Sequence, residues 1–366
     1  SGARNRKAIN NVLENLRAGP LVRAACSSGV AIWTEWQQPC VVTVTASSTD
    51  IEPLQEQKPE SFSVSSSTIA VGGRYYALSQ LAGLRAAMWY NYQIEASTQE
   101  GEPVPLNEST LLQCFRTLDP PIERNTFRLA YGSCRKISDI APDALSVFGN
   151  WLLDCRAERE SLWPRLLLLI GDQIYADDPP GSQAWSFEDF ACLYVKAWAG
   201  DEGLRQVLAA LPTFMIFDDH EITNNWNLLP AWRARMLERG CEQMLVDGLV
   251  AYWVYQGWGN VSMRSAGDDD LLAIMQSAAQ SGEDVLEKLR VRVRQAVYAE
   301  KALQWDYTIP TLPPIFVADV RADRPALFAQ ESSADPDVPR IMSQEQMARL
   351  QDWMQEHEAR TTLLVS

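Results

Sequence analysis

The chain has 366 residues, 46% apolar and 22% charged. That composition excludes disorder over most of its length and suits two or three domains at ~150 residues each. A net charge of -15 argues against a general nucleic-acid binder, which presents basic surface, and no apolar run reaches the ~18 residues of a transmembrane segment.

Residues 1–17 read as a short polar helix or loose arm. Short β-branched or aromatic segments follow at Val30–Trp36, Val41–Ala46, Phe62–Val64, Arg74–Leu78, Asn91–Ala96 and Leu111–Thr117. Polar breaks such as Ser65–Ser67 and Gly72–Gly73 separate them, a spacing that predicts an antiparallel sandwich. Leu81-Ala82-Gly83-Leu84, followed by Tyr90-Asn91-Tyr92, resembles the tyrosine corner of fibronectin type III and immunoglobulin-like domains. There a tyrosine hydroxyl ties back to nearby backbone. The alternative is an ordinary turn before an amphipathic strand.

Asp119-Pro120-Pro121 reads as a stiff linker. Beyond it, strands are expected at Phe127–Tyr131, Arg165–Ile170, Thr213–Phe217, Ile315–Val320 and Thr361–Val365. Helices are expected at Pro142–Arg156, Phe187–Trp198, Trp232–Tyr255, Val285–Leu303 and Gln344–His357, with loops at Gly267–Asp270 and Ser277–Asp284. This alternation predicts an α/β layered domain. The expected division is an arm over 1–18, a β-sandwich over 19–118 and a catalytic domain over 122–366.

Ligands of α/β sheets bind beyond the carboxyl ends of strands. Four predicted strand ends carry chemistry: Gly132-Ser133-Cys134-Arg135, Gly171-Asp172-Gln173-Ile174-Tyr175-Ala176-Asp177-Asp178, Asp218-Asp219-His220-Glu221 with Asn224-Asn225-Trp226, and Asp319-Val320-Arg321-Ala322-Asp323-Arg324. Asp, Asn and Gly are common after strands as turn formers, so each motif alone favours a structural role. Their coincidence favours a metal centre. Carboxylate, carboxamide and phenol oxygens suit hard cations, and a thiolate favours a transition metal. With only two histidines, His220 and His357, the ligands must be mainly oxygens. Two cations can clamp an in-line displacement at phosphorus and generate hydroxide at neutral pH, and arginines grip phosphate oxygens. His357 reads as a solvated helix residue, and Trp226 equally as packing or as pocket lining. There is no G-x-S-x-G elbow, Walker A loop or C-x5-R phosphatase loop.

In this order the four motifs resemble the PhoD (alkaline phosphatase D) metallophosphatases, a family with a β-sandwich ahead of the catalytic domain. The resemblance implies a four-layer αββα catalytic fold and a metal-dependent phosphoesterase acting on phosphomonoesters or phosphodiesters. It implies iron and calcium as cofactors, with other divalent cations as alternatives. Carried over, Cys134 and Tyr175 bind iron and Asp172 bridges the metals. Asp218 and Asn225 complete the metal residues. Asp219, His220 and Arg135 act on the phosphoryl group, and Arg321 and Arg324 bind substrate. The family also has a downstream Gly-Asp-x-His segment, and none occurs before Ser366. The expectation is therefore a truncated chain or a natural short form with an incomplete metal set. The rival reading is a catalytically inactive binding or scaffold module on the same frame. Seven scattered cysteines without a C-x-x-C pair fit free thiols in a reducing compartment. That leans toward the cytoplasm, an exported form staying open because Ser1 is consistent with a trimmed leader.

Overall fold

The computed structural model describes residues 15–49, 60–106, 110–120, 127–137, 143–178, 183–226, 230–260, 270–298, 300–323 and 341–366. Eight strands form two antiparallel sheets. One has the order β1 (Leu16–Ala25), β2 (Gly29–Trp36), β6 (Arg74–Ala82), β5 (Ile69–Val71). The other has the order β4 (Ser61–Ser67), β3 (Val41–Ser48), β7 (Trp89–Ser97), β8 (Cys114–Arg116).

The two sheets differ in exposure for a reason visible in their residues. In β3, Val42, Val44 and Ala46 are buried and alternate with half-buried Thr43, Thr45 and Ser47, as in a sheet with one wet face. In β2 every residue is buried. Its sheet is covered on its second face by the α/β half, and one hydrophobic core runs through both halves. Trp33 of β2 meets Trp198 edge-on, with ring centroids 5.9 Å apart, and Tyr255 at 5.4 Å.

Three readings of the N-terminal region are corrected. Strand β1 begins at Leu16, inside the expected arm, whose first 14 residues lie outside the described ones. Ser65–Ser67 belong to β4 instead of breaking the chain, and β5 was not anticipated. The tyrosine corner is present: the Tyr90 hydroxyl accepts the Arg85 backbone N–H at 2.8 Å.

The α/β half contains a parallel sheet in the order β11 (Thr213–Ile216), β10 (Leu166–Ile170), β9 (Leu129–Gly132). The central strand reads Leu-Leu-Leu-Leu-Ile because both of its faces are covered. In a second sheet, β13 (Ile315–Val317) lies between antiparallel β12 (Tyr307–Ile309) and parallel β14 (Leu363–Val365). The described helices are α1 (Ala144–Glu158), α2 (Phe187–Ala199), α3 (Glu202–Ala210), α4 (Pro230–Glu238), α5 (Glu242–Tyr252), α6 (Asp270–Ser281), α7 (Leu286–Val297) and α8 (Gln344–Glu356).

The single helix expected over Trp232–Tyr255 is broken at Gly240, whose φ is +73°, a value open to glycine without strain. Helix α6 occupies part of the loop expected over Ser277–Asp284 and takes in Asp270. Helix α3 and strand β12 were not anticipated. All seven cysteines are free thiols. No helix of the described residues is long and apolar enough to cross a membrane.

Tyr90→Phe keeps the buried ring and leaves the Arg85 N–H without its acceptor. It is expected to cost about 1–3 kcal/mol, read as a lower Tm in calorimetry with an unchanged far-ultraviolet circular dichroism spectrum.

Candidate metal centre

The parallel strands β9, β10 and β11 bring their carboxyl ends to one edge of the sheet, and backbone bonds join the loops that follow. Cys134 N–H donates to Gly171 O at 3.2 Å and Arg135 N–H to Asp172 O at 3.0 Å. Ala176 N–H donates to His220 O at 2.8 Å. The close approach needs Gly171, since a Cβ there would lie 2.4 Å from the Cβ of Asp218 and its φ is +103°.

Backbone strain collects at the same place. Four described non-glycine residues have positive φ: Ala87, Cys134 (54°), Asp172 (52°) and Asn225 (60°). Three of them are residues that the sequence motifs nominate. Left-handed backbone at a side-chain-bearing residue persists only where its surroundings impose it, typically at functional sites.

Asp172, Asp219 and His220 each offer one ligand atom within 4.8 Å of the other two. Asp172 is 4% exposed, and its Oδ1 accepts the His220 backbone N–H at 3.1 Å. Burial raises its pKa, and the charges of Asp219 and Asp218 add to this, against hydrogen bonds from His220 and Cys134. The Cys134 thiol is shifted as well. A hydrogen bond from Ser133 lowers its pKa, but burial and the carboxylates of Asp172 and Asp218 prevail and raise it. The Tyr175 ring stacks on His220 at 4.6 Å. Burial, with Asp172 and Cys134 next, pushes its phenol up to about 12.

The remaining nominated residues fall in three groups. Asp218 is paired with Arg321 at 2.5 Å, and Arg321 lies 3.9 Å from Asp219 and donates to Trp226 O at 3.1 Å. Asn225 is fixed by its backbone N–H on Asp219 Oδ2 at 2.5 Å, and its side-chain amide donates to Asn224 Oδ1. Arg135 is drawn away from the cluster: its guanidinium holds Asp143 at 2.7 Å and the Ala197 carbonyl at 2.9 Å. A clamp between its own loop and α2 accounts for that arginine. Arg324 lies outside the described residues.

Two residues of the motifs gain roles that sequence reading did not assign. Asp177 accepts from His220 Nδ1 at 2.7 Å through one oxygen and from Asn224 N–H at 2.7 Å through the other. Burial lowers the His220 pKa, but Asp177 outweighs it and the net shift is upward. Glu221 is fully buried. Its Oε1 accepts from Gln173 N–H at 2.7 Å and its Oε2 from Asp172 N–H at 3.0 Å and Asp218 N–H at 2.9 Å. Burial pushes it up to about 7, against these N–H donors. The one local signal was position, since each follows a nominated residue closely.

Residues 154–365, more than half of the chain, match the PhoD-like phosphatase family. The chain belongs to that family. Residues 13–113 match a domain of unknown function, DUF7800. Among solved structures, the structure of PhoD is similar at 15% identity and a TM-score of 0.60, over 93% of this chain and 60% of that one. The chain thus spans about three-fifths of that PhoD chain, and the likeness shows the fold: α/β with a β-sandwich at its N-terminal side. A purple acid phosphatase from yellow lupin (Lupinus luteus) seeds aligns at 9% identity and a TM-score of 0.42, over 82% of this chain and 44% of that one. The third fibronectin III domain of a human protein aligns at 12% identity and a TM-score of 0.22, over 31% of this chain and 90% of that one. No curated protein matches the chain.

The residues fit a cation on three counts. Their donor set is carboxylate, imidazole, phenol and thiol. Two of the clustered ligands are carboxylates whose mutual repulsion a cation would relieve. The backbone is strained where they sit. A divalent cation at about 100 times its Kd should add about 2.7 kcal/mol of stability by mass action. Titration of Mn2+ or Ca2+ should therefore raise Tm. Asp172→Asn, which keeps the shape and tolerates left-handed backbone, should abolish the rise.

Proposed function

We propose that this PhoD-like chain is a metal-dependent phosphoesterase that hydrolyses phosphomonoesters or phosphodiesters. The observation that carries the reading is the cluster of Asp172, Asp219 and His220 at the carboxyl edge of the parallel sheet, in a chain of this family. Cys134, Tyr175 and Asp172 would hold iron, the thiol and phenol each releasing a proton to solvent on binding. Asp172, Asp219 and Asn225 offer the oxygen ligands that calcium prefers. When bound, such cations lower the pKa of water and neutralise charge on phosphoryl oxygens.

The chain's own residues do the rest. Arg321, anchored by Asp218, brings a guanidinium to the edge of the cluster, where it can bind a phosphoryl oxygen. Asp177 fixes the His220 ring through Nδ1. That leaves Nε2 facing the cluster, as a ligand when the ring is neutral and as a donor to the phosphoryl group when it is charged; Asp177 favours the charged ring, which stabilises charge spreading in the transition state. The substrate class is a phosphate ester.

The test is metal content by elemental mass spectrometry together with turnover of p-nitrophenyl phosphate and bis-(p-nitrophenyl) phosphate. Bound iron or calcium is expected, with turnover falling at least ~100-fold in Asp172→Asn. Absence of both metal and turnover after iron, calcium and manganese are supplied would overturn the proposal and favour a non-catalytic binding module.

A further inference from the structure

Helix α5 does not end at Tyr252. It continues into a π-helical turn over Trp253–Gly257 and a 3-10 turn over Trp258–Asn260. Helix termini leave carbonyls without partners, and π turns are rare features that gather at functional sites. Three of these carbonyls are met from the β-sandwich. Trp33 Nε1 donates to Val254 O at 3.0 Å, Arg23 Nη1 to Tyr255 O at 2.8 Å and Arg23 Nη2 to Gln256 O at 2.6 Å. Arg23 also reaches Thr213 O of β11 at 3.1 Å and Asn260 Oδ1 at 3.0 Å. Its guanidinium is fully buried and forms no salt bridge among the described residues. Its counter-charge is the negative end of the helix. Gly259 makes the room, since a Cβ there would lie 2.5 Å from Arg23 Cζ.

Gln256 carries the constraint onward. Its carbonyl is held by Arg23, and its Nε2 donates to Glu221 Oε1 at 3.0 Å and to the Tyr194 hydroxyl at 3.0 Å. Its Oε1 is buried and finds no donor among the described residues. An apolar side chain would avoid that cost, so packing alone does not explain a glutamine here. Beyond Gln256, Glu221 receives the backbone N–H groups of Asp172, Gln173 and Asp218.

We infer that Arg23 and Gln256 are positioning residues for the metal centre, and that the β-sandwich acts through them: Arg23 sets the π turn, the turn sets Glu221, and Glu221 sets the two loops that carry Asp172 and Asp218. The inference deepens the phosphoesterase reading and rests on it for its catalytic readout.

The whole chain is compared with Gln256→Met, Arg23→Lys and a control, Tyr92→Phe. The control removes a buried bond from the sandwich to Ala209 O of α3 (2.8 Å) outside the relay. Three quantities are measured: amide exchange at Asp172, Gln173 and Asp218 in cation-free protein, Mn2+ affinity, and kcat and KM for p-nitrophenyl phosphate. Gln256→Met is expected to speed exchange at all three amides. It should weaken Mn2+ binding about tenfold and lower kcat about tenfold with KM little changed, as for residues that orient metal ligands. Arg23→Lys keeps the charge but loses the fork geometry, and should move the same quantities in the same direction. Tyr92→Phe should lower Tm alone. Parental exchange, affinity and kcat in folded Gln256→Met would overturn the inference. Should the parent itself bind no Mn2+ and turn nothing over, the phosphoesterase reading falls, and the exchange measurement alone decides the relay.

Discussion

Glu221 is the residue on which the site depends. An ionised carboxylate offers about four lone-pair positions, and this one meets four N–H donors: the backbones of Asp172, Gln173 and Asp218 and the side chain of Gln256. Two of its donors belong to the loop after β10, one to the loop after β11 and one to the π turn, so a single buried group fixes three segments at once. No other side chain would do the same work. Aspartate is a methylene shorter, and glutamine would set its own NH2 against two donors. Burial opposes the charge and pushes the carboxyl up to about 7. The donors oppose that rise, because protonation would turn one acceptor position into an O–H facing an N–H.

Given that clamp, the strain around it becomes intelligible. With the Asp172 and Asp218 amides both on Glu221, the loop after β10 must turn sharply. Gly171 and Asp172 take positive φ to do so. Asp172 then lies beside Asp219 and His220 instead of pointing to solvent. Burial there raises the Asp172 pKa, and the charges of Asp219 and Asp218 add to it. Arg321 answers part of the charge from β13's loop, and the proposed cation would answer the rest. A fold that only needed stability would gain by removing a carboxylate. Keeping them crowded on strained backbone is what a ligand site requires.

Sequence reading found the motifs because the chemistry at a strand end is local: Asp172, Asp218, Asp219 and His220 sit where two short apolar runs stop. The tyrosine corner was legible for the same reason, its donor and acceptor being five residues apart. What was hidden depends on distance along the chain. Arg135 sits among nominated residues, yet its partners are Asp143 and a carbonyl on α2. Glu221 stands inside a motif, but its partners lie up to 49 residues away. Strand β1 was missed because Gly19-Pro20 and a buried arginine interrupt it. The pairing with β2 absorbs the proline at an irregularity between Ala18 and Leu21, where a strand tolerates a missing N–H.

Asp119-Pro120-Pro121 reads as a stiff linker between two domains, and the packing joins those domains directly as well. A fully buried arginine is expensive unless its donors are met. The acceptors of Arg23 all lie in the α/β half. Removed from that half, the sandwich would expose a cation, Trp33 and the inner face of β2. Removed from the sandwich, the π turn would lose the donors to Val254, Tyr255 and Gln256, and with them the fixed position of Gln256 beside Glu221. Arg74 adds a second tie, bridging Glu35 of the sandwich to Glu188 of α2 at 2.5 and 2.7 Å. A buried ion of this kind contributes little net stability, so its effect is to fix register. The two halves therefore meet in one orientation, and that orientation is the one in which the loops carrying Asp172 and Asp218 are held together.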